Sequence, residues 1–90
     1  GEGLPAPDAI LSGGGGSEEG VMDAARAALK PGGRLVDNAV TLEMEAMLLA
    51  AHARLGGSLI RLDVARVTPV GTMSGWRPAM PVTQWHWVKD

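Results

Sequence analysis

Four consecutive glycines, Gly13 to Gly16, follow the short apolar run Ala9-Ile10-Leu11. Glycines at the end of a strand allow a ligand to approach the backbone closely, because no Cβ stands in the way. A phosphate cradle is the first chemistry to test, and the spacing argues against it. Three residues after Gly15 stands Glu18, and three after Gly16 stands Glu19, where such a motif needs glycine. Two carboxylates there would also repel the anion that a helix N-terminus attracts. Two readings remain for Gly13, Gly14 and Gly15: close backbone approach to a ligand without phosphate, or a flexible turn.

Asp37 and Asn38 end a second apolar run, Arg34 to Asn38. Asp37 lies at a distance from the glycines that could mimic a dinucleotide ribose acid. Without the glycine spacing, a strand-end acid of another role is the better reading. Asn38 suits either a pocket or a turn. Thr41 and Glu43 fit the cap and first turn of a helix, and Thr41 could also line a pocket. Arg61, Arg66 and Arg77 can fork onto carboxylates. Arg61 shares a strand face with Asp63, which predicts a solvated pair. Arg77 lies beside Trp76 in a segment rich in Gly and Pro, and is the preferred contact for an acidic ligand. His52 and His86 have no partner pattern for a metal. No catalytic triad, carboxylate dyad or metal cluster is legible.

The whole chain sets limits. Ninety residues make one domain or a piece of one. Eight Lys and Arg stand against ten Asp and Glu, a balance unlike the basic stripe of a nucleic-acid binder. With no cysteine, disulfides, thiol catalysis and cysteine-held zinc are excluded. The apolar stretch Met47 to Ala51 is too short to cross a bilayer, and Gly1 to Asp8 does not read as a signal peptide. A cytoplasmic protein is expected.

The elements that must position these residues follow from pattern. Ala9 to Leu11 reads as a short parallel strand covered on both faces. Ser17-Glu18-Glu19 starts a helix whose apolar stripe is Val21, Ala25, Ala28 and Leu29, ended by Pro31-Gly32-Gly33. Arg34 to Asn38 is the second strand. A second helix follows Thr41, with Met44, Met47, Leu48, Ala51 and Leu55 on one face, closed by Gly56-Gly57. The third strand is expected over Ser58 to Val67, a loop over Thr68 to Pro81, and a last strand over Val82 to Lys89. Strand-helix-strand-helix-strand-strand predicts a mixed α/β sheet, parallel at first and antiparallel in its final pair. Trp85 and Trp87 share a face of the last strand, which suits a core or an interface.

Several segments carry a family resemblance. Leu29-Lys-Pro-Gly-Gly-Arg-Leu-Val36 resembles the connection before the fifth strand of class I (Rossmann-like), S-adenosylmethionine-dependent methyltransferases. Asp37-Asn-Ala-Val-Thr-Leu-Glu43 and Gly75-Trp-Arg-Pro-Ala-Met-Pro-Val-Thr-Gln-Trp85 resemble the C-terminal domain of the decarboxylating precorrin-6Y methyltransferases, enzymes of cobalamin biosynthesis. Leu4-Pro-Ala-Pro-Asp-Ala-Ile10 with its glycine run is similar to the same domain.

The resemblance implies that residues 1–90 are the C-terminal half of a methyltransferase domain, beginning before the family's fourth strand and lacking the half that holds most of the cofactor. It implies S-adenosylmethionine as cofactor near Gly13, Gly14 and Gly15. It also implies a tetrapyrrole substrate near Asn38, Thr41 and Arg77, and a homo-oligomer. The activity implied is methyl transfer to a precorrin with decarboxylation of an acetate arm, needing orientation and a dry cavity more than a triad. A methyltransferase for another small molecule, and a non-catalytic fragment, are the alternatives.

Overall fold

The computed structural model describes residues 7–12 and 18–90. Its strands are β1 (Ala9–Ser12), β2 (Arg34–Ala39), β3 (Ser58–Leu62), β4 (Ala65–Val70), β5 (Met73–Pro78) and β6 (Val82–Val88). Its helices are α1 (Glu18–Ala28) and α2 (Leu42–Leu55). Four strands form a sheet in the order β1-β2-β6-β3, with β4 and β5 paired separately. β1 and β2 run parallel, and β6 is antiparallel to both β2 and β3. The mixed sheet and the antiparallel final pair are therefore as the pattern predicts. The last strand inserts between the second and third rather than adding at an edge.

Local chemistry explains the helices. Thr41 has extended backbone and its Oγ1 accepts from the Met44 amide at 3.2 Å, the N-cap of α2. Glu43 and Glu45 in the first turn, with His52 and Arg54 in the last, complement the helix dipole. Gly56 ends the helix at φ 78°, and its amide donates to the His52 carbonyl. Helix ends leave carbonyls without intrahelical partners, and β6 with the residue after it supplies donors for both helices. Trp85 Nε1 donates to the Gly56 carbonyl at 2.9 Å and Trp87 Nε1 to that of Leu55 at 3.3 Å. Lys89, the residue after β6, donates through Nζ to the carbonyls of Arg26 in the last turn of α1 and of Leu29 just beyond it, each at 2.9 Å. One strand and the residue after it thus fasten both helices to the sheet.

The core comprises Met22, Leu29, Leu35, Ala39, Leu48, Ala51 and Trp85. Trp85 is fully buried and stacks on Trp87 at 6.1 Å between ring centroids, with the Arg26 guanidinium over the Trp87 ring. The paired tryptophans are thereby core, not a free interface. Of the expected stripe, Ala25 and Leu29, the latter just beyond α1, pack on the core, while Val21 and Ala28 are exposed and Met22 is buried in place of Val21.

Other corrections concern the second half. The expected third strand breaks at Asp63-Val64. The expected loop is a β-hairpin, with β4 and β5 joined by Gly71-Thr72. Gly71 takes φ 62° in the first central position, where a two-residue hairpin favours glycine. β1 is covered on one face: Ala9 and Leu11 pack on the core, while Ile10 is 63% exposed.

Candidate functional site

The parallel pair β1-β2 defines the edge to search, because open α/β sheets bind ligands beyond the carboxyl ends of their strands. In register, Ser12 lies beside Asn38 there, and Asn38 lies opposite Gln84 of β6. The face that carries Asn38 is the one away from the helices. On it Ile10, Val36, Ile60, Leu62 and Val82 surround a line of polar side chains. Gln84 Nε2 donates to Asn38 Oδ1 at 2.7 Å, and Gln84 Oε1 lies 2.6 Å from His86 Nε2.

The expected site residues separate in the structure. Asn38 is at the carboxyl edge. Thr41 follows it by three residues, and its hydroxyl is engaged in the α2 cap. Gly13, Gly14 and Gly15 lie outside the described residues. Arg77 is on β5, opposite Arg66 in the hairpin, not in a loop. Neither guanidinium has an ion-pair partner among the described residues. Arg61 pairs with Glu45 of α2 at 3.0 Å instead of with Asp63, and Glu45 also accepts from Thr83 Oγ1 at 2.7 Å. Asp37 is buried at 5% exposure on the helix-covered face. No group of side chains suited to a metal occurs among the described residues.

Gln84 and His86 are the residues that reading the sequence left without a role. Their signal was present in the alternation of β6, where Val82 and Val88 flank two polar residues on one face. A hollow of about 730 Å³ lined by Arg34, Arg54, Gly57 and His86 lies at the opposite end of β2. That is the amino end, where such sheets do not place ligands.

A sulfonium nucleoside needs partners for its ribose hydroxyls and a slot for its base. The described residues offer the Asn38 amide at the right edge, but no acid on the open face at a strand end. They fit one wall of such a site.

Three parallel strands, a helix in each connection between them and an antiparallel strand wedged before the last define half of a Rossmann-like methyltransferase sheet. The match to known proteins is more specific. A family model described as a precorrin methyltransferase domain matches residues 2–89, and the chain belongs to that family. It is 72% identical over 87 residues to a precorrin-6Y C(5,15)-methyltransferase [decarboxylating] of Sinorhizobium sp, covering 97% of this chain and 21% of the relative. The corresponding protein of Mycobacterium tuberculosis (strain CDC 1551 / Oshkosh) is 47% identical over 92% of this chain, again 21% of the relative. Among solved structures, a precorrin-6Y C5,15-methyltransferase targeted domain from Corynebacterium diphtheriae aligns with TM-score 0.78 at 41% identity. It matches 90% of this chain and 47% of that one. The C-terminal domain of the Rhodobacter capsulatus enzyme gives 0.73 at 44% identity, over 96% and 46%. The chain thus spans about a fifth of the curated relatives and about half of the solved domains. No helix among the described residues is long and apolar enough to cross a membrane.

Proposed function

We propose that this chain is the C-terminal half of a methyltransferase domain that methylates a precorrin and removes an acetate carboxyl group as carbon dioxide, in the cytoplasm. The observation that carries the reading is 72% identity, over nearly the whole chain, to a relative named for that reaction. S-adenosylmethionine, when bound, supplies an electrophilic methyl group. In this reading Gly13, Gly14 and Gly15 let the backbone approach it. Asn38 presents an amide at the strand edge, and Thr41 holds the start of α2 beside it while lining the pocket. Arg77 meets a carboxylate arm of the tetrapyrrole. An electron-rich macrocycle attacks through a ring carbon, so the protein's work is orientation and exclusion of water. The apolar side chains of the open sheet face, Ile10, Val36, Ile60 and Leu62 among them, support a dry wall of that kind.

The hairpin adds a proposal about assembly. Val67 and Trp76 sit opposite each other on one of its faces, with Trp76 74% exposed. An exposed aromatic on a projecting ribbon suits contact between copies, so the protein is proposed to be a homo-oligomer.

The full-length protein incubated with S-adenosylmethionine and a precorrin decides the function. Mass spectrometry is expected to show product gaining a methyl group and losing carbon dioxide. Methylation confined to other small molecules would overturn the reading. Titration calorimetry on the 90 residues alone is expected to give at most weak cofactor binding, restored in a chain carrying the rest of the domain.

A further inference from the structure

Amide side chains present a donor or an acceptor depending on which way they are held, and the open sheet face contains a device that settles this for Asn38. The chain Asn38–Gln84–His86 crosses two strands, and its inner contacts are short, 2.7 and 2.6 Å. The Gln84 Oε1 atom can only accept, so His86 Nε2 carries the hydrogen between them. His86 then donates to Gln84, Gln84 donates through Nε2 to Asn38 Oδ1, and the acceptor end of Asn38 is held toward Gln84. What remains is Asn38 Nδ2 with two N–H groups. It has no partner among the described residues and is not sealed from solvent there.

Direction matters because the three groups behave as a unit. Reversing any one turns the next, and hydrogen-bonded chains reinforce their own polarity. With His86 accepting instead, Gln84 would present Oε1 to Asn38, and Asn38 would turn its carbonyl outward. That end would repel a carboxylate rather than bind one. Val36 opposite His86 and Ile60 opposite Gln84 are apolar. Ser58, opposite His86 on β3, carries a hydroxyl, but the hydrogen bond that His86 Nε2 makes is to Gln84 Oε1.

We propose that His86 and Gln84 are positioning residues that hold the Asn38 amide as a donor at the carboxyl edge of β1-β2, where it binds a carbonyl or carboxylate oxygen of the ligand. This rests on the function proposed above, in which that oxygen belongs either to a carboxylate arm of the substrate or to the amino-acid carboxylate of the cofactor. His86 and Gln84 touch neither; they act through Asn38.

The test uses the full-length protein and both KM values, one for precorrin and one for S-adenosylmethionine. Asn38→Asp keeps the acceptor for Gln84 Nε2 and replaces the outward N–H groups with oxygen. It is expected to raise one KM about ten- to a hundredfold, as loss of a hydrogen bond to a charged group would, with a smaller change in kcat. The KM that rises identifies the source of the oxygen. Gln84→Glu keeps the acceptor for His86 but forces the Asn38 amide to turn, so the same KM should rise although residue 84 never meets the ligand. His86→Gln, which can still donate, should lie nearer wild type than His86→Leu.

Unchanged KM values in Asn38→Asp and Gln84→Glu, or a loss of melting temperature without a kinetic change, would overturn the assignment. Nitrogen NMR of wild-type protein labelled in histidine is independent of activity and of variant folding. A proton on His86 Nε2 is expected, and a bare Nε2 overturns the relay. If wild type does not methylate a precorrin while Nε2 is protonated, the function fails and the relay stands.

Discussion

On the helix-covered face of the sheet, Leu35, Asp37 and Ala39 of β2 and Thr83 and Trp85 of β6 are all buried. One residue along in each strand, on the other face, Val36, Asn38, Gln84 and His86 are only partly covered, and Ile10 and Ile60 are exposed. The strands are the same, so neither propensity nor pairing makes the difference. Only the second layer does: α1 and α2 supply it on one side, and no described element supplies it on the other. The open side carries the apolar Ile10, Val36, Ile60, Leu62, Val82 and Val88 beside the polar Ser12, Arg34, Asn38, Ser58, Gln84 and His86. The contrast is between a finished core and an open face, and the open face carries the ordered amide chain.

The largest expected effect lies on the finished side. Trp85→Ala removes a fully buried ring, its stacking on Trp87 and the indole donor to the Gly56 carbonyl. A loss of about 3–5 kcal/mol is expected by denaturant unfolding of the full-length protein's C-terminal domain. A loss below about 1 kcal/mol would mean that the covered face is not the main core.

The open face should respond according to what covers it. Ile60→Ser in the 90-residue chain is expected to change stability by less than about 0.5 kcal/mol, as at an exposed site. In a chain carrying the rest of the domain it should cost about 1.5–3 kcal/mol, the worth of a buried isoleucine. Equal effects in both chains would show that the remainder of the domain does not lie on this face.

The same contrast explains what could be read from the sequence. β1, β2, β6 and both helices were legible because local signals agree: Thr41 with the acids after it, Gly56 after Leu55, and the alternation of Val82 to Val88. The one-position error in the α1 stripe arose because Val21 and Met22 are both apolar. Only the position of the sheet decides between them. Cover on both faces of β1 was expected from its apolar composition, but composition does not say on how many sides a second layer packs, and Ile10 is exposed. The hairpin was hidden by Pro69, Gly75 and Pro78, which read as a loop although proline fits a strand edge.

The site was legible only in part. Asn38 could be placed at a strand end, but its partners Gln84 and His86 lie 46 residues on in the case of Gln84. Their meeting depends on β6 entering between β2 and β3. Nothing local encodes that insertion. Arg61 was matched to Asp63 by face alone, while α2 brings Glu45 closer.

A smaller effect separates the two readings of Thr41. Thr41→Ala removes the hydroxyl that accepts from the Met44 amide, and about 1 kcal/mol is expected to be lost. Thr41→Asn keeps a capping side chain and should restore most of that stability. A KM change shared by both variants would add a ligand contact to the cap. A KM unchanged in both would leave Thr41 a structural residue.

The smallest effect on stability is expected outside the main sheet, in the hairpin. Arg77 and Arg66 are cross-strand neighbours, both exposed, and like charges directly opposite on a sheet repel modestly. Nothing among the described residues neutralises them. Removing one should therefore leave the melting temperature unchanged or slightly raised, which a residue serving the fold would not do. If Arg77 meets a carboxylate arm of the substrate, Arg77→Ala raises KM for the precorrin and leaves KM for the cofactor alone. Arg77→Lys keeps the charge but not the two-pronged geometry, so it should recover only part of the loss. Arg66→Ala is the control, because it relieves the same repulsion from the other strand. Equal kinetic effects would describe a paired site, and an effect of Arg77 alone a single contact. Normal kinetics in all three variants, with sedimentation showing loss of oligomer, would move the arginines from substrate binding to assembly. The hairpin would then differ from the open face as a surface for other copies of the chain.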